Sequence, residues 1–93
     1  MKNRTLSEFQ IQCEAKLSHA LESIGKSIER RTLDGENETY ITGRISDEIT
    51  FWIYADGADF KTQNIHPVFE KEDYPSLDAL SDDFINRLVN EIE

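Results

Sequence analysis

The sequence predicts an α+β domain in which a helix, three or four antiparallel strands and a second helix follow one another in that order. Apolar residues recur every three or four positions near both ends of the chain, as on one face of a helix. The segments between them alternate apolar and polar side chains and are joined by short turns, which connect antiparallel neighbours. We therefore expect one domain over residues 1–93, with an antiparallel meander and both helices packed on one face.

The first helix is predicted over about residues 6–24. Thr5-Leu6-Ser7-Glu8 has the form of a capping box, in which the Thr5 hydroxyl and the Glu8 carboxylate each accept a backbone amide of the first turn. Gly25 suits the positive φ that commonly ends a helix. The apolar stripe of this helix and the residues just after it consists of Leu6, Phe9, Cys13, Leu17, Ala20, Leu21, Ile24 and Ile28.

The middle of the chain predicts three strands, over residues 27–33, 38–46 and 48–55. The turns between them are Asp34-Gly35-Glu36-Asn37 and Ser46-Asp47-Glu48, which consist largely of turn-forming residues. A short continuation over residues 58–62 is a candidate fourth strand. Asp56-Gly57 fits either a hairpin turn or a bulge before that continuation, and the sequence leaves both open.

One face of the predicted sheet is apolar enough to form a core. Because successive strand residues point to opposite sides, Phe51 and Ile53 share a face, and so do Ile41 and Ile45. The apolar stripes of the two helices need such a surface. Six residues are predicted to be buried together: Leu17, Leu21, Phe51, Ile53, Phe84 and Leu88.

The opposite face of the sheet is predicted to carry aromatic side chains. Trp52 and Tyr54 on the third strand lie beside Tyr40 and Arg44 on the second. Trp, Tyr and Arg are enriched at interface hot spots, so these four are the candidate binding residues. The alternative is that residues 58–75 fold across this face and cover it. The apolar side chains that could do so are Phe60, Ile65, Val68 and Phe69.

Residues 63–75 are predicted to be irregular, with a second helix from about residue 77 to the end. His66-Pro67 disfavours helix at the residue before the proline, and Val68 and Phe69 are expected to enter the core. Ser76 is well suited to cap the helix N-terminus. The stripe of the second helix consists of Leu77, Leu80, Phe84, Leu88 and Ile92.

The chain is acidic, with a formal net charge of −9, and its charge is unevenly distributed. Residues 1–28 carry +1 and the rest of the chain carries −10. Such a field repels nucleic-acid phosphates and attracts a basic protein. No apolar run approaches the roughly 18 residues of a membrane span, and no signal peptide is predicted. The single cysteine allows no internal disulfide. Taken together, these features lead us to expect a cytoplasmic protein without membrane or nucleic-acid partners.

The element order resembles that of the double-stranded RNA-binding domain. That family uses a lysine cluster at the start of its second helix to grip phosphates. The matching positions here are Ser76, Asp78, Asp82 and Asp83. The charge is reversed, so the resemblance is one of element order and RNA binding is not implied.

The sequence predicts neither a cofactor nor a metal ion. Cys13 lies on the apolar stripe of the first helix and is expected to be a buried thiol. His19 and His66 have no ligand spacing. Asp56-Gly57-Ala58-Asp59 does not continue as a calcium loop, because Pro67 stands where that loop needs its glutamate.

Three functions from different classes follow. The first is a non-enzymatic protein-binding module that uses the aromatic face, most simply as a homodimer. The second is an acidic inhibitor or immunity-type protein that neutralises a basic partner such as a nuclease. The third is a small enzyme or ligand-binding domain that uses His66 and Glu70, and it has the least support. The sequence therefore favours a protein that is not an enzyme.

Overall fold

The computed structural model describes residues 6–34 and 39–92 and has the predicted α+β architecture. The elements are α1 (Glu8–Glu22), β1 (Glu29–Asp34), β2 (Thr39–Ile45), β3 (Ile49–Tyr54), β4 (Gly57–Lys61), β5 (Val68–Glu70), a 3₁₀ turn (Lys71–Asp73) and α2 (Leu77–Ile92). The strands form one antiparallel sheet in the order β1-β2-β3-β4-β5. Both helices pack on one face of this meander, which confirms the predicted element order and layers. The three-residue β5 is an addition to the prediction.

Helix α1 is capped by a different residue pair from the one predicted. The Ser7 hydroxyl accepts the Gln10 amide at 3.2 Å, and the Gln10 side-chain oxygen accepts the Ser7 amide at 2.7 Å. This is a capping box that begins two residues later than the predicted Thr5 and Glu8 pair. Thr5 itself lies outside the described residues, as does most of the predicted turn at residues 34–37.

The other end of α1 closes as the sequence predicts. The Lys26 amide donates to the Leu21 carbonyl at 2.8 Å, and the Gly25 amide donates to the Glu22 carbonyl at 3.1 Å. These two bonds form a Schellman motif, in which Gly25 has the left-handed φ of 75°. The turn directs the chain from α1 into the edge strand β1.

Gln10 also connects α1 to the sheet. Its side chain is buried, and its amide nitrogen donates to the carbonyls of Thr39 at 2.8 Å and Ile53 at 3.1 Å. Both carbonyls belong to the end of the sheet where β2 begins and β3 finishes. Since its oxygen accepts the Ser7 amide, every polar atom of this buried side chain has a partner, which is the condition for placing an amide in a core.

The core forms where the sequence places it. All six residues predicted to be buried together are fully buried, and Phe60 joins them. Phe51 lies over Gly43, its partner in the register of β2 and β3. A Cβ atom at position 43 would lie 2.6 Å from Cζ of Phe51 and 2.9 Å from the carbonyl oxygen of Glu29. Glycine at this position therefore provides the space that the ring occupies.

The chain after β3 settles one alternative that the sequence left open and departs from the prediction in two respects. Tyr54 pairs with Gly57, so Ala55 and Asp56 form a two-residue hairpin turn and no bulge is present there. Residues 68–70, predicted to be irregular, pair with β4 as β5. Phe69 enters the core as expected, but Val68 does not and is 60% exposed. Neighbouring strand residues point to opposite faces, so both cannot face the core.

Helix α2 begins after Ser76, whose hydroxyl accepts the Ala79 amide at 3.1 Å, as predicted for its cap. Before this cap, the Tyr74 hydroxyl donates to a carboxylate oxygen of Asp83 at 2.5 Å. Partial burial of the phenol, together with this hydrogen bond, raises the pKa of Tyr74 to about 12. Asp83 is thus a structural acceptor rather than a solvated charge.

Candidate functional site

The sheet face that points away from the helices, called here the open face, carries the four predicted binding residues. Tyr40 and Arg44 lie on β2, and Trp52 and Tyr54 lie on β3. Their chain neighbours on the other side of the sheet, among them Ile41 and Ile53, are buried against the helices. Strand alternation therefore brings the four side chains together on one surface.

The tyrosines of the open face form a pair. The ring centroids of Tyr40 and Tyr54 are 5.4 Å apart, with the ring planes at 39°. Both side chains and that of Trp52 are half-buried by their neighbours along the sheet. This arrangement holds the rings in defined positions, which lowers the entropy cost of using them in a contact.

A histidine and an aspartate complete the aromatic cluster. His66 lies with its ring centroid 5.8 Å from that of Trp52, and its Nε2 atom is 2.7 Å from a carboxylate oxygen of Asp59. Asp59 is the partner of Trp52 in the register of β3 and β4. Its side chain is only 14% exposed, and its second oxygen is buried without a hydrogen-bond partner. The three side chains thus form a cluster at the centre of the open face.

The segment that could have covered the open face instead extends the sheet. Phe60 and Phe69 of strands β4 and β5 point to the helix side and are buried there. Val68 pairs with Asp59 in the register and is exposed on the open face. The segment contributes His66 to the aromatic cluster and leaves Tyr40, Trp52 and Tyr54 half-exposed. The open face therefore presents both aromatic and aliphatic surface.

An acidic groove adjoins Tyr54 at the side of the face formed by β4 and β5. It has a volume of about 530 Å³. Gly57 lies between Tyr54 and Glu70 in the register and has no side chain, so the groove is open above it. The carboxylates that line it belong to Asp56, Asp59, Glu70 and Glu72. Lys71 also lines the groove, and its Nζ atom lies 3.6 Å from a carboxylate oxygen of Asp56. Because four carboxylates line the groove with this one ammonium group, the groove as a whole is negative.

The diagonally opposite corner of the open face is basic. Arg44 and Lys61 both pair with Thr50, one from each side, and both are exposed. The Arg44 guanidinium is 3.9 Å from the Glu29 carboxylate, and both side chains are more than half exposed. An exposed pair at that distance contributes little to stability, so Arg44 is available for another partner.

Other candidate chemistry receives no geometric support within residues 6–34 and 39–92. His66 pairs with Asp59 rather than with Glu70, which lines the groove. Burial raises the pKa of Cys13 to about 11, so its thiolate is scarce at neutral pH. Across these described ranges, no group of three or more His, Cys, Asp or Glu side chains is placed to hold a metal ion. Neither described helix is long and apolar enough to cross a membrane.

Three residues of the open face were not among the four predicted binding residues: Asp59, His66 and Val68. Asp59 could have been placed by choosing the two-residue turn after β3, because that turn fixes the register that sets Asp59 beside Trp52. Val68 depends instead on the pairing of β5 with β4. No family model, curated protein or solved structure matches this chain, so the function of the open face has to be argued from its own geometry.

Proposed function

We propose that this protein is a non-enzymatic, cytoplasmic protein-binding module that pairs with a second copy of itself through the open face. The observation that carries the proposal is the cluster of Tyr40, Trp52 and Tyr54 on a sheet face that neither helix covers. Rigid aromatic side chains on an uncovered sheet face are suited to bury large areas in a contact. Val68 adds exposed aliphatic surface beside them.

Two-fold pairing of sheets explains why a single chain would carry such a face. In a two-fold dimer the same patch serves both partners, so each favourable contact is made twice. The five strands give the face a flat extent of roughly 20 by 20 Å, from a strand spacing of about 4.8 Å and a rise of about 3.4 Å per residue. The area of a face with these dimensions is below the roughly 800 Å² that each partner buries in a standard interface, so we expect a weak dimer.

Trp52→Ala tests the proposal. It is expected to weaken association by about 2–4 kcal/mol, or roughly 30- to 1,000-fold in dissociation constant, as for a central hot-spot residue. The monomer should stay folded, because the core on the helix side is unchanged. Sedimentation equilibrium gives the dissociation constant, and a melting curve of each variant gives the stability.

Ile11→Ala is the matched control, because Ile11 is an apolar side chain of α1 that is 54% exposed and lies on the helix side of the molecule. It should leave association unchanged. A wild-type protein that remains monomeric at about 100 µM would contradict self-pairing, since a hot-spot contact should be populated well below millimolar concentration.

A second candidate is an acidic inhibitor or immunity-type protein, and the groove beside Tyr54 is the observation that favours it. Its carboxylates, within a chain of net charge −9, would attract a basic partner and speed its association. In this case the isolated protein is a monomer. The association rate with the basic partner should fall steeply as salt rises from about 0.05 to 0.5 M, because the attraction is screened.

A further inference from the structure

Arg44 and the acidic groove are placed symmetrically about Trp52. On β2, Thr42 is the register partner of Trp52, and Arg44 lies two residues after Thr42, beside Thr50. On β4, Asp59 is the register partner of Trp52, and Gly57 lies two residues before Asp59, beside Tyr54. Arg44 and Gly57 are therefore displaced from Trp52 in opposite directions, both across the sheet and along the strands. Each is therefore roughly 8 Å from Trp52, on diagonally opposite sides, from the standard spacings of a sheet.

This symmetry has a consequence for a face-to-face dimer. Consider a two-fold axis that lies in the plane of the interface, passes near Trp52 and is perpendicular to the line from Arg44 to Gly57. Rotation about this axis places Arg44 of one copy opposite Gly57 of the other. Each Arg44 then lies over the groove of the other copy, and the two Trp52 side chains meet near the axis. The strands of the two sheets cross at a large angle, closer to the orthogonal class of sheet packing than to the aligned class.

The groove has the chemistry that a guanidinium requires. Tyr54 is the register partner of Gly57 and lines the groove, and a guanidinium can stack on an aromatic face. Glu70 lies on the other side of Gly57, and carboxylates accept the planar donor fork of arginine. The missing side chain at Gly57 leaves the space between them open. Asp59 and Glu72 add negative charge to the same groove.

We infer that Arg44 of each copy enters the acidic groove of the second copy and lies between Tyr54 and Glu70. This inference rests on the proposed self-pairing and defines its register. It also answers an electrostatic difficulty, because two chains of net charge −9 repel each other. The two Arg44 contacts place opposite charges together at the points where the copies touch, and they exclude other rotations of one sheet on the other.

The test is a pair of charge reversals measured by sedimentation equilibrium of the full chain. Arg44→Glu and Glu70→Arg should each weaken association by roughly 10-fold or more, since each sets like charges against one another at a contact made twice. The double variant carrying both changes should recover the wild-type dissociation constant to within a few fold, because opposite charges again face each other across the interface. Melting curves confirm that each variant is folded. If a charge-reversal variant does not fold, the neutral variant Arg44→Gln or Glu70→Gln is measured in its place.

Lys61→Glu is the matched control. Lys61 is an exposed basic residue in the same cross-strand row as Arg44, and its reversal changes the net charge by the same amount. We expect it to weaken association less than Arg44→Glu does. Equal effects of the two reversals, or a double variant no better than the single ones, would overturn the inference while leaving self-pairing intact. Self-pairing itself fails separately, if the wild type is monomeric or if Trp52→Ala leaves the dimer unchanged.

Discussion

Phe51→Ala is expected to lower the free energy of unfolding by about 3–5 kcal/mol, the usual cost of truncating a fully buried aromatic side chain. Phe51 is the central core residue of β3 and has no exposed surface. A domain of this size is stabilised by only about 5–15 kcal/mol, so the variant should be close to unfolding at ambient temperature. Urea denaturation followed by circular dichroism gives the midpoint. Phe84→Ala, which truncates a buried α2 side chain packed against the rings of Phe60 and Phe69, should have an effect of the same size.

Gly43 provides a control that is specific to this ring. Gly43→Ala alone should cost about 1–3 kcal/mol, because the new methyl group collides with the Phe51 ring. In a Phe51→Ala background the same change should cost less, since the ring is absent and the Glu29 carbonyl is the remaining close neighbour. Additive effects would contradict the placement of Phe51 over Gly43, because residues in contact show coupling in a double-mutant cycle.

Gln10→Ala is expected to lower the free energy of unfolding by about 2–4 kcal/mol, because it removes three hydrogen bonds between a buried side chain and the backbone. The Thr39 and Ile53 carbonyls lose their side-chain donor, and the Ser7 amide loses its acceptor. Gln12→Ala, at an exposed position of the same helix, should change stability by less than about 0.5 kcal/mol. Thermal and urea melts of the two variants make the comparison directly.

Gln10→Glu separates the donor role of this side chain from its packing. The glutamate keeps the size of the side chain and an oxygen for the Ser7 amide, but at neutral pH it presents an acceptor to two carbonyls. We expect it to be at least as destabilising as Gln10→Ala, because the second oxygen of the buried carboxylate faces two carbonyl oxygens and repels them. A Gln10→Glu variant as stable as the wild type would show that the contacts of the amide nitrogen with the sheet contribute nothing.

The sequence predicts the core and the two layers because these depend on local periodicity. Phe51 and Ile53 on one face of β3, and Trp52 and Tyr54 on the other, follow from alternation alone. The helix stripes follow in the same way from a spacing of three and four residues. Neither inference requires knowledge of which distant segments meet, and both agree with the structure.

The cap of α1 and the pairing of β5 depend on tertiary contacts that periodicity does not contain. Two overlapping capping boxes are present in the sequence, one with Thr5 and Glu8 and one with Ser7 and Gln10. Gln10 also reaches two carbonyls of the sheet, and this long-range contact favours the second box. Likewise, only three residues pair in β5, which is too short a stretch to show alternation.

Only part of the candidate site could be predicted, because the rest of it also depends on tertiary contacts. Its four residues on β2 and β3 follow from alternation within long strands. The position of His66 depends on the loop after β4, in which the Thr62 hydroxyl accepts the amides of Asn64 and Ile65 and the Thr62 amide donates to the Ile65 carbonyl. That loop returns the chain across the end of the sheet, and no sequence pattern indicates where its side chains will lie.

The meander has a consequence for the order in which the chain can fold. Each strand pairs with its neighbour in sequence, so the sheet can assemble through successive local hairpins with short loops to close. The two helices that cover it stand at opposite ends of this order and pack against each other. During synthesis the apolar side of the sheet, including Phe60, is therefore left without α2 until that helix emerges. In this interval the nascent protein exposes the surface most prone to aggregation, and the arrival of α2 ends that exposure.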